Sequence, residues 1–154
     1  MNTTINRVLD TDSVLGPLVL RIPIGIIFAA HGAQKLFAWF GGYGLEGTGQ
    51  FFASIGLEPG YLMALLAGGA EFFGGLALIA GLLVRPAAAV LAITMLVAIF
   101  AVHIGNGLFM SNNGYEYALA LFAASVSLLY SGAGRASLDR VLAAGVESRI
   151  GVTA

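Results

Sequence analysis

The sequence contains no cysteine and has few charged residues, and both absences exclude classes of site. Without thiols, the chain itself cannot form a disulfide, a catalytic cysteine, an iron–sulfur cluster held by thiolates or a zinc–thiolate centre. Charged residues make up 10% of the 154 residues, whereas about 25% is usual in soluble domains. Because the net charge is −1, we expect no nucleic-acid partner.

The sequence is rich in apolar residues. Hydrophobic residues make up 58% of the chain, and the mean hydropathy is +0.91. A chain of this size cannot bury so much apolar surface in its own interior, so we expect the lipid bilayer to be its solvent. Residues 1–12 are polar and lack the basic start and short apolar core of a secretory signal peptide, so we expect the first apolar segment to be retained.

Four apolar segments approach the length of about 20 residues that a membrane span needs. We predict an all-α integral membrane protein, a single four-helix bundle with spans at approximately 14–40, 60–84, 86–109 and 115–130. Pro86 suits the first position of the third span. Residues 41–58 are predicted to contain a short interfacial helix on the outer side, with Thr48 as its N-cap. The tail, 135–154, is predicted to carry a short amphipathic helix that begins at Ser137 and lies along the inner surface.

The basic residues predict the orientation of this bundle. If the four spans are threaded in order, the two loops on one side contain no lysine or arginine. By the positive-inside rule, both termini are then cytoplasmic, and an aromatic belt marks the outer interface. The basic residues on the inner side are Arg7, Arg85, Arg135, Arg140 and Arg149, and the aromatic belt is Trp39, Tyr43, Tyr61 and Tyr115.

Several polar side chains lie inside the predicted spans, where a charge is costly and usually serves a function. Glu71 lies about 15 Å from the outer end of its span by helix rise. At this depth it must be neutral or paired with Arg21, Lys35 or a histidine. We predict a polar cavity in the outer half of the bundle. Its predicted catalytic residues are Glu71, His31 and His103, and its predicted ligand-binding residues are Gln34, Lys35, Asn106, Glu116 and Arg21.

Each of these residues also has a structural interpretation. Lys35 can extend toward the outer headgroups. Arg21 can extend toward the cytoplasm or pair with a carboxylate, and Glu116 can stabilise the N-terminus of its helix. Small residues four apart, such as Gly25 and Ala29, indicate close helix packing.

A short internal repeat connects the two histidines. The segment Phe28-Ala-Ala-His31 resembles Phe100-Ala-Val-His103. Since the first and third spans run in the same direction, a parallel repeat would place both histidines at similar depth, facing each other. Such a pair can hold a metal or haem, line a pocket for a quinone headgroup, or consist of two hydrogen-bonded interior histidines. The sequence leaves these alternatives open, and we assign no residue as a metal ligand.

A series of motifs runs through the spans in a fixed order. They are Arg21-x3-Gly25-x2-Phe28-x2-His31-Gly32-x-Gln34-Lys35-Leu36, Phe40-Gly41-Gly42, Glu71-x2-Gly74-Gly75, Gly81-x3-Arg85-Pro86, His103, Asn106-Gly107, Gly114-Tyr115-Glu116 and Ser137-Leu138-Asp139. In number and order, these motifs resemble the DoxX family of small bacterial membrane proteins. The resemblance covers about residues 20–139.

The resemblance implies a redox role in the bacterial inner membrane, because the family is named after a subunit of a thiosulfate:quinone oxidoreductase and is linked to quinone stress. We therefore expect an oxidoreductase subunit that binds a quinone or a similar small amphiphile in the polar cavity. It would act with a redox partner subunit, and a homo-oligomer is compatible with this role. Two alternatives remain open: a small-solute transporter, which with four spans requires an oligomer, and a non-catalytic anchor that recruits soluble enzymes through its tail.

Overall fold

The computed structural model describes residues 15–150, with side chains described as far as residue 146. The predictions for residues 1–14, including the signal-peptide interpretation and Arg7, lie outside the described residues, as does the side chain of Arg149. The described part of the chain contains helices and no strand, which confirms the all-α class. Its α-helices are α1 (Gly16–Phe37), α2 (Gly44–Ser54), α3 (Gly60–Ala80), α4 (Val84–Ala98), α5 (Glu116–Ser131) and α6 (Leu138–Ile150).

Three helical segments of the described chain are long and apolar enough to cross a membrane. They are α1, α3 and the segment Val84–Asn106, in which α4 continues through a π-helix (Ile99–His103) and a short 3₁₀ turn (Ile104–Asn106). Helix α5 is apolar but has 16 residues. Its length is about 24 Å, which is less than the hydrocarbon thickness of about 30 Å. The described residues thus contain three of the four predicted spans as membrane-length helices.

Helices α1 and α3 pack along a line of glycines. A Cβ added at Gly25 would lie 2.7 Å from the carbonyl oxygen of Gly75. A Cβ added at Gly32 would lie 2.3 Å from the backbone nitrogen of Phe72 and 2.7 Å from the carbonyl oxygen of Gly68. Only glycine permits so close an approach of two helix backbones. Because Gly25 meets Gly75 and Gly32 meets Gly68, the two helices run antiparallel.

Helices α4 and α5 form a second antiparallel pair. At one end of the pair, Arg85 donates a hydrogen bond to the carbonyl of Tyr130. At the other end, the amide of Tyr115 donates to the carbonyl of Gly107. The apolar core joins this pair to α1, and its largest members include Phe28, Leu91, Met95, Leu121 and Leu128.

The helix ends gather into two chemically different ends of the molecule. We call one the basic end, because it carries the exposed side chains of Arg85, Arg135 and Arg140. It comprises the start of α1, the turn from α3 to α4, and the junction of α5 and α6. We call the other the aromatic end, because Trp39, Tyr43 and Tyr61 are exposed there.

Two predicted helix starts are wrong. Helix α2 begins at Gly44 and contains Thr48 as a buried residue of its interior, so Thr48 is not the N-cap. Helix α4 begins at Val84, two residues before Pro86. The reason is tertiary: the Asp139 carboxylate accepts hydrogen bonds of 2.7 and 3.0 Å from the two amides at the start of α4, so the helix is already capped before the proline.

The predicted start of the tail helix is confirmed. The Ser137 hydroxyl oxygen accepts a hydrogen bond of 3.2 Å from the amide of Arg140, and α6 begins at the next residue, Leu138. Ser137 is therefore the N-cap of α6. The apolar residues Val141, Leu142 and Val146 of this helix are exposed.

The glycine contact predicts a large effect of a single methyl group. We expect Gly32→Ala to destabilise the protein by about 1–3 kcal/mol or more, because the new Cβ would push α1 away from α3. Gly69→Ala is the matched control, since a Cβ at Gly69 meets no heavy atom within 4 Å and alanine favours helix by about 1 kcal/mol. Thermal unfolding in detergent measures both variants. Equal midpoints for the two would contradict the packing.

Candidate ligand-binding site

A cavity of about 950 Å³ lies between α1, α2, α3 and α4, toward the aromatic end. Most of its wall is apolar, and Phe52 of α2 and Ala67 of α3 are typical members. Such a volume, with an apolar wall and a few polar groups, is usual for small-molecule sites. The cavity brings together four of the eight predicted site residues: Gln34, Lys35, Glu71 and His103.

An ion pair forms part of the polar wall of the cavity. The Nζ atom of Lys35 lies 2.5 Å from Oε2 of Glu71, and the two side chains are 23% and 4% exposed. Gly68 makes this pairing possible, because a Cβ there would lie 3.1 Å from the Cβ of Lys35. Of the partners considered for Glu71, the structure selects Lys35. The pairing explains how a carboxylate can lie inside an apolar helix.

His103 reaches the cavity from the π-helical segment that follows α4. Its Nδ1 atom lies 2.8 Å from the carbonyl oxygen of Asn113, and the same oxygen accepts a hydrogen bond of 3.3 Å from the Asn106 amide. Because a carbonyl oxygen can only accept, Nδ1 carries the ring proton. In the neutral ring, Nε2 is then an acceptor. Short π-helical segments occur frequently at functional sites.

His31 is not among the residues that line this cavity. Its ring packs on the ring of Tyr117 in α5, with the ring centroids 5.9 Å apart. The two histidines therefore have different surroundings, because His103 lies on the α4 side of the cavity and His31 lies against α5.

Two further predicted residues support the loop at the aromatic end and do not line the cavity. Glu116 accepts a hydrogen bond of 2.6 Å from the amide of Met110, so its carboxylate fixes the turn before α5. Asn106 donates to the carbonyl of Asn113. This bond helps to hold the carbonyl that orients His103.

Arg21 lies at the basic end, away from the cavity. Its guanidinium is buried. Nη1 donates hydrogen bonds of 2.8 and 2.7 Å to the carbonyls of Leu78 and Ile79, and Nη2 donates to the carbonyl of Ala136. The last carbonyls of a helix lack partners within the helix, and a cation there is favourable. In this structure Arg21 therefore caps α3 and connects it to the α5–α6 junction.

Three polar groups of the cavity wall were not predicted as site groups from the sequence. Thr48 was interpreted as a helix cap, although its buried side chain lines the cavity. Thr94 could have been noticed as a hydroxyl within an apolar span; its hydroxyl donates a hydrogen bond of 3.0 Å to the carbonyl of Val90. The backbone carbonyl of Asn113 could not be predicted from the sequence, because every residue has a backbone carbonyl.

Metal binding is not supported by any side-chain cluster in the described part of the chain. Among residues 15–146, no group of three or more histidine, aspartate or glutamate side chains could hold a metal ion.

The ion pair predicts non-additive stability effects. Lys35→Met should cost about 3 kcal/mol, because it leaves the Glu71 carboxylate buried without a partner. Adding Glu71→Gln removes that charge, so the double variant should be more stable than Lys35→Met alone. A double-mutant cycle of unfolding free energies measures this coupling. Strictly additive effects would mean that the pair does not form.

The position of Arg21 predicts a loss of stability without a loss of ligand binding. Arg21→Met should destabilise the protein by about 2 kcal/mol or more, because three backbone carbonyls, of which that of Leu78 is buried, lose a charged donor. Arg140→Met, at an exposed arginine of the same end, should change the unfolding midpoint little. If Arg21→Met instead weakened ligand binding in folded protein, Arg21 would belong to the site.

Comparison with known proteins agrees with this architecture. The family model for DoxX matches residues 16–104. A Bacillus subtilis protein named "Putative oxidoreductase CatD" is 37% identical over 125 residues, which are 81% of this chain and 85% of that protein. An uncharacterized protein of Haemophilus influenzae is 35% identical over 127 residues, 78% of this chain and 85% of that protein.

A third relative is named for its location. "Inner membrane protein YqjF" of Escherichia coli is 33% identical over 134 residues, 83% of this chain and 92% of that protein. No solved structure matches the chain. The family match over more than half of the sequence and the three membrane-length helices agree. This chain is a multi-pass membrane protein of the DoxX family.

Proposed function

We propose that the protein is a redox component of the bacterial inner membrane that binds a quinone, or a similar small amphiphile, in the cavity beside the Lys35–Glu71 pair. The observation that carries the proposal is the combination of an apolar cavity of about 950 Å³ with a few polar groups in its wall. A quinone has the same combination, an apolar ring system with two polar oxygens. The redox part of the proposal is supported by the name of the Bacillus subtilis relative, "Putative oxidoreductase CatD".

The polar groups of the cavity suit the two oxidation states of a quinone. Reduction of a quinone to a quinol takes up two electrons and two protons. The Lys35 ammonium can donate a hydrogen bond to a quinone carbonyl, and it stabilises the negative charge that forms as electrons arrive. The Nε2 atom of neutral His103 can accept a hydrogen bond from a quinol hydroxyl and take its proton. Glu71 is a second group that can exchange a proton once Lys35 engages the ligand.

The electrons are proposed to come from a redox partner, since no motif in the sequence stores them. The partner is a second subunit or a soluble enzyme, and a homo-oligomer is compatible with either. Haem is the weaker cofactor proposal, because His103 lines the cavity and His31 packs on Tyr117.

We further propose that α5 also crosses the membrane, with both termini in the cytoplasm. Its antiparallel packing on α4 supports a fourth crossing, although it is short. The grouping of Arg85, Arg135 and Arg140 at one end supports the orientation. The name of the Escherichia coli relative supports the inner membrane as the location.

The proposal predicts which variants lose quinone binding. Glu71→Gln and His103→Ala should each weaken binding of decyl-benzoquinone by about tenfold, because each removes a polar group from the cavity wall. His31→Ala should have a smaller effect, since His31 does not line the cavity. Ser125→Ala is the control: Ser125 is buried in α5 and bonds to its own helix at the carbonyl of Leu121. Binding to purified protein and a redox difference spectrum provide the measurements.

Specific results would contradict the proposal. If the purified protein binds no quinone and shows no haem spectrum, and Glu71→Gln and His103→Ala have no effect on redox turnover, the proposed function is wrong. Uptake of a small solute into proteoliposomes would instead favour the transporter. A phenotype lost on deletion of α6 and unaffected by Glu71→Gln would favour the anchor.

A further inference from the structure

Several residues of the cavity wall have largely exposed side chains. Ile93 of α4 lines the cavity and is 62% exposed, and Leu66 of α3 lines it and is 57% exposed. Val90, Val97 and Phe51 combine the same two properties. The exposed wall residues of α3 and α4 border one opening of the cavity, and the exposed Tyr43, which also lines the cavity, borders another at the aromatic end.

The opening bordered by α3 and α4 faces the bilayer. Leu66 lies in α3 (Gly60–Ala80), and Ile93 and Val97 lie in the segment Val84–Asn106. Both segments are long and apolar enough to cross a membrane. Their exposed apolar surfaces are therefore solvated by lipid chains. A molecule that passes between them comes from the lipid phase.

The cavity wall on α4 is elongated and changes character along its length. Val90, Ile93 and Val97 recur at helical spacing on one side of α4, and His103 lies further along the same segment. From Val90 to His103 the helix rises about 20 Å. The apolar part can contact a chain, whereas the polar part near His103 and Lys35 can contact a headgroup.

We propose that the ligand enters sideways from the bilayer, between α3 and α4, and is a long-chain amphiphile with an uncharged polar head. The head lies at the Lys35–Glu71 pair and His103, and the chain lies along Val90, Ile93 and Val97. The head is uncharged because the ion pair has no net charge, and a charged head would leave one of its members unpaired. The identification of the head as a quinone rests on the proposed function; the entry path and the chain do not.

A membrane phospholipid, whose head is charged, is the alternative occupant of this face, and the test separates it from a quinone with an apolar side chain. The probes are dimethoxy-methyl-benzoquinone without a chain and its decyl derivative. Binding to protein in phosphatidylcholine nanodiscs is measured by calorimetry, with empty nanodiscs as the blank. Native mass spectrometry of the same samples records bound phospholipid.

Ile93→Trp should obstruct the chain and leave the head site intact. We expect the decyl probe to bind about tenfold more weakly, whereas binding of the probe without a chain changes less than about twofold. Leu96→Trp is the matched control, because Leu96 lies on the same helix and is exposed but does not line the cavity. It should change neither affinity. Ile93→Phe adds a smaller side chain and should give an intermediate loss of affinity for the decyl probe. This variant replaces Ile93→Trp in the test if Ile93→Trp does not fold.

The outcomes distinguish failure of this inference from failure of the proposed function. If the wild-type protein binds both probes and Ile93→Trp and Ile93→Phe weaken neither, or weaken both equally, the chain does not lie along α4, this inference is overturned and quinone binding stands. If the protein binds neither probe, the proposed function fails. If phospholipid is bound, is lost in Ile93→Trp and is not displaced by the decyl probe, the α4 face is a lipid site and this inference is overturned.

Discussion

The close contact between α1 and α3 is the constraint on which the candidate site depends. Because Gly32 and Gly68 have no side chains, the two backbones meet without a gap. The same absence at Gly68 leaves room for the stem of Lys35, whose ammonium reaches Glu71 at 2.5 Å. A larger residue at Gly68 would therefore disturb the helix packing and the ion pair together. In a bilayer, where hydrophobic burial does not drive helices together, such close packing carries much of the stability.

The polar side chains inside the helices have two separate tasks. At the basic end, Arg21 satisfies the last carbonyls of α3, and Asp139 satisfies the first amides of α4. These groups connect the tail helix to the membrane helices. Toward the aromatic end, Lys35, Glu71 and His103 line a cavity. The energetic cost of burying the Arg21 charge is offset by backbone hydrogen-bond partners, and that of burying the Glu71 charge is offset by the charge of Lys35.

Part of the candidate site could be predicted from the energetic cost of burying a polar group in a membrane span. Gln34, Lys35, Glu71 and His103 were predicted because a polar group in an apolar span is expensive, and all four line one cavity. The same energetic cost applies to Arg21 and Glu116, so it could not distinguish them from the residues that line the cavity. In the structure, Arg21 and Glu116 bond to backbone groups instead. Thr48 was misassigned because a threonine after a glycine-rich turn resembles an N-cap. The tertiary contact of α2 with α3 buries it instead.

The sequence by itself determined the solvent, the helical class, the approximate positions of the helices and the N-cap at Ser137. These follow from composition and from local hydrogen bonding, which act within a few residues. Only the tertiary structure decided which partner Glu71 takes, which histidine reaches the cavity and which nitrogen of His103 is left to accept. The first two depend on distances between helices, which are set by contacts such as Gly32 with Phe72, between residues 40 positions apart. The third depends on the loop before α5, which brings the carbonyl of Asn113 to Nδ1 of His103.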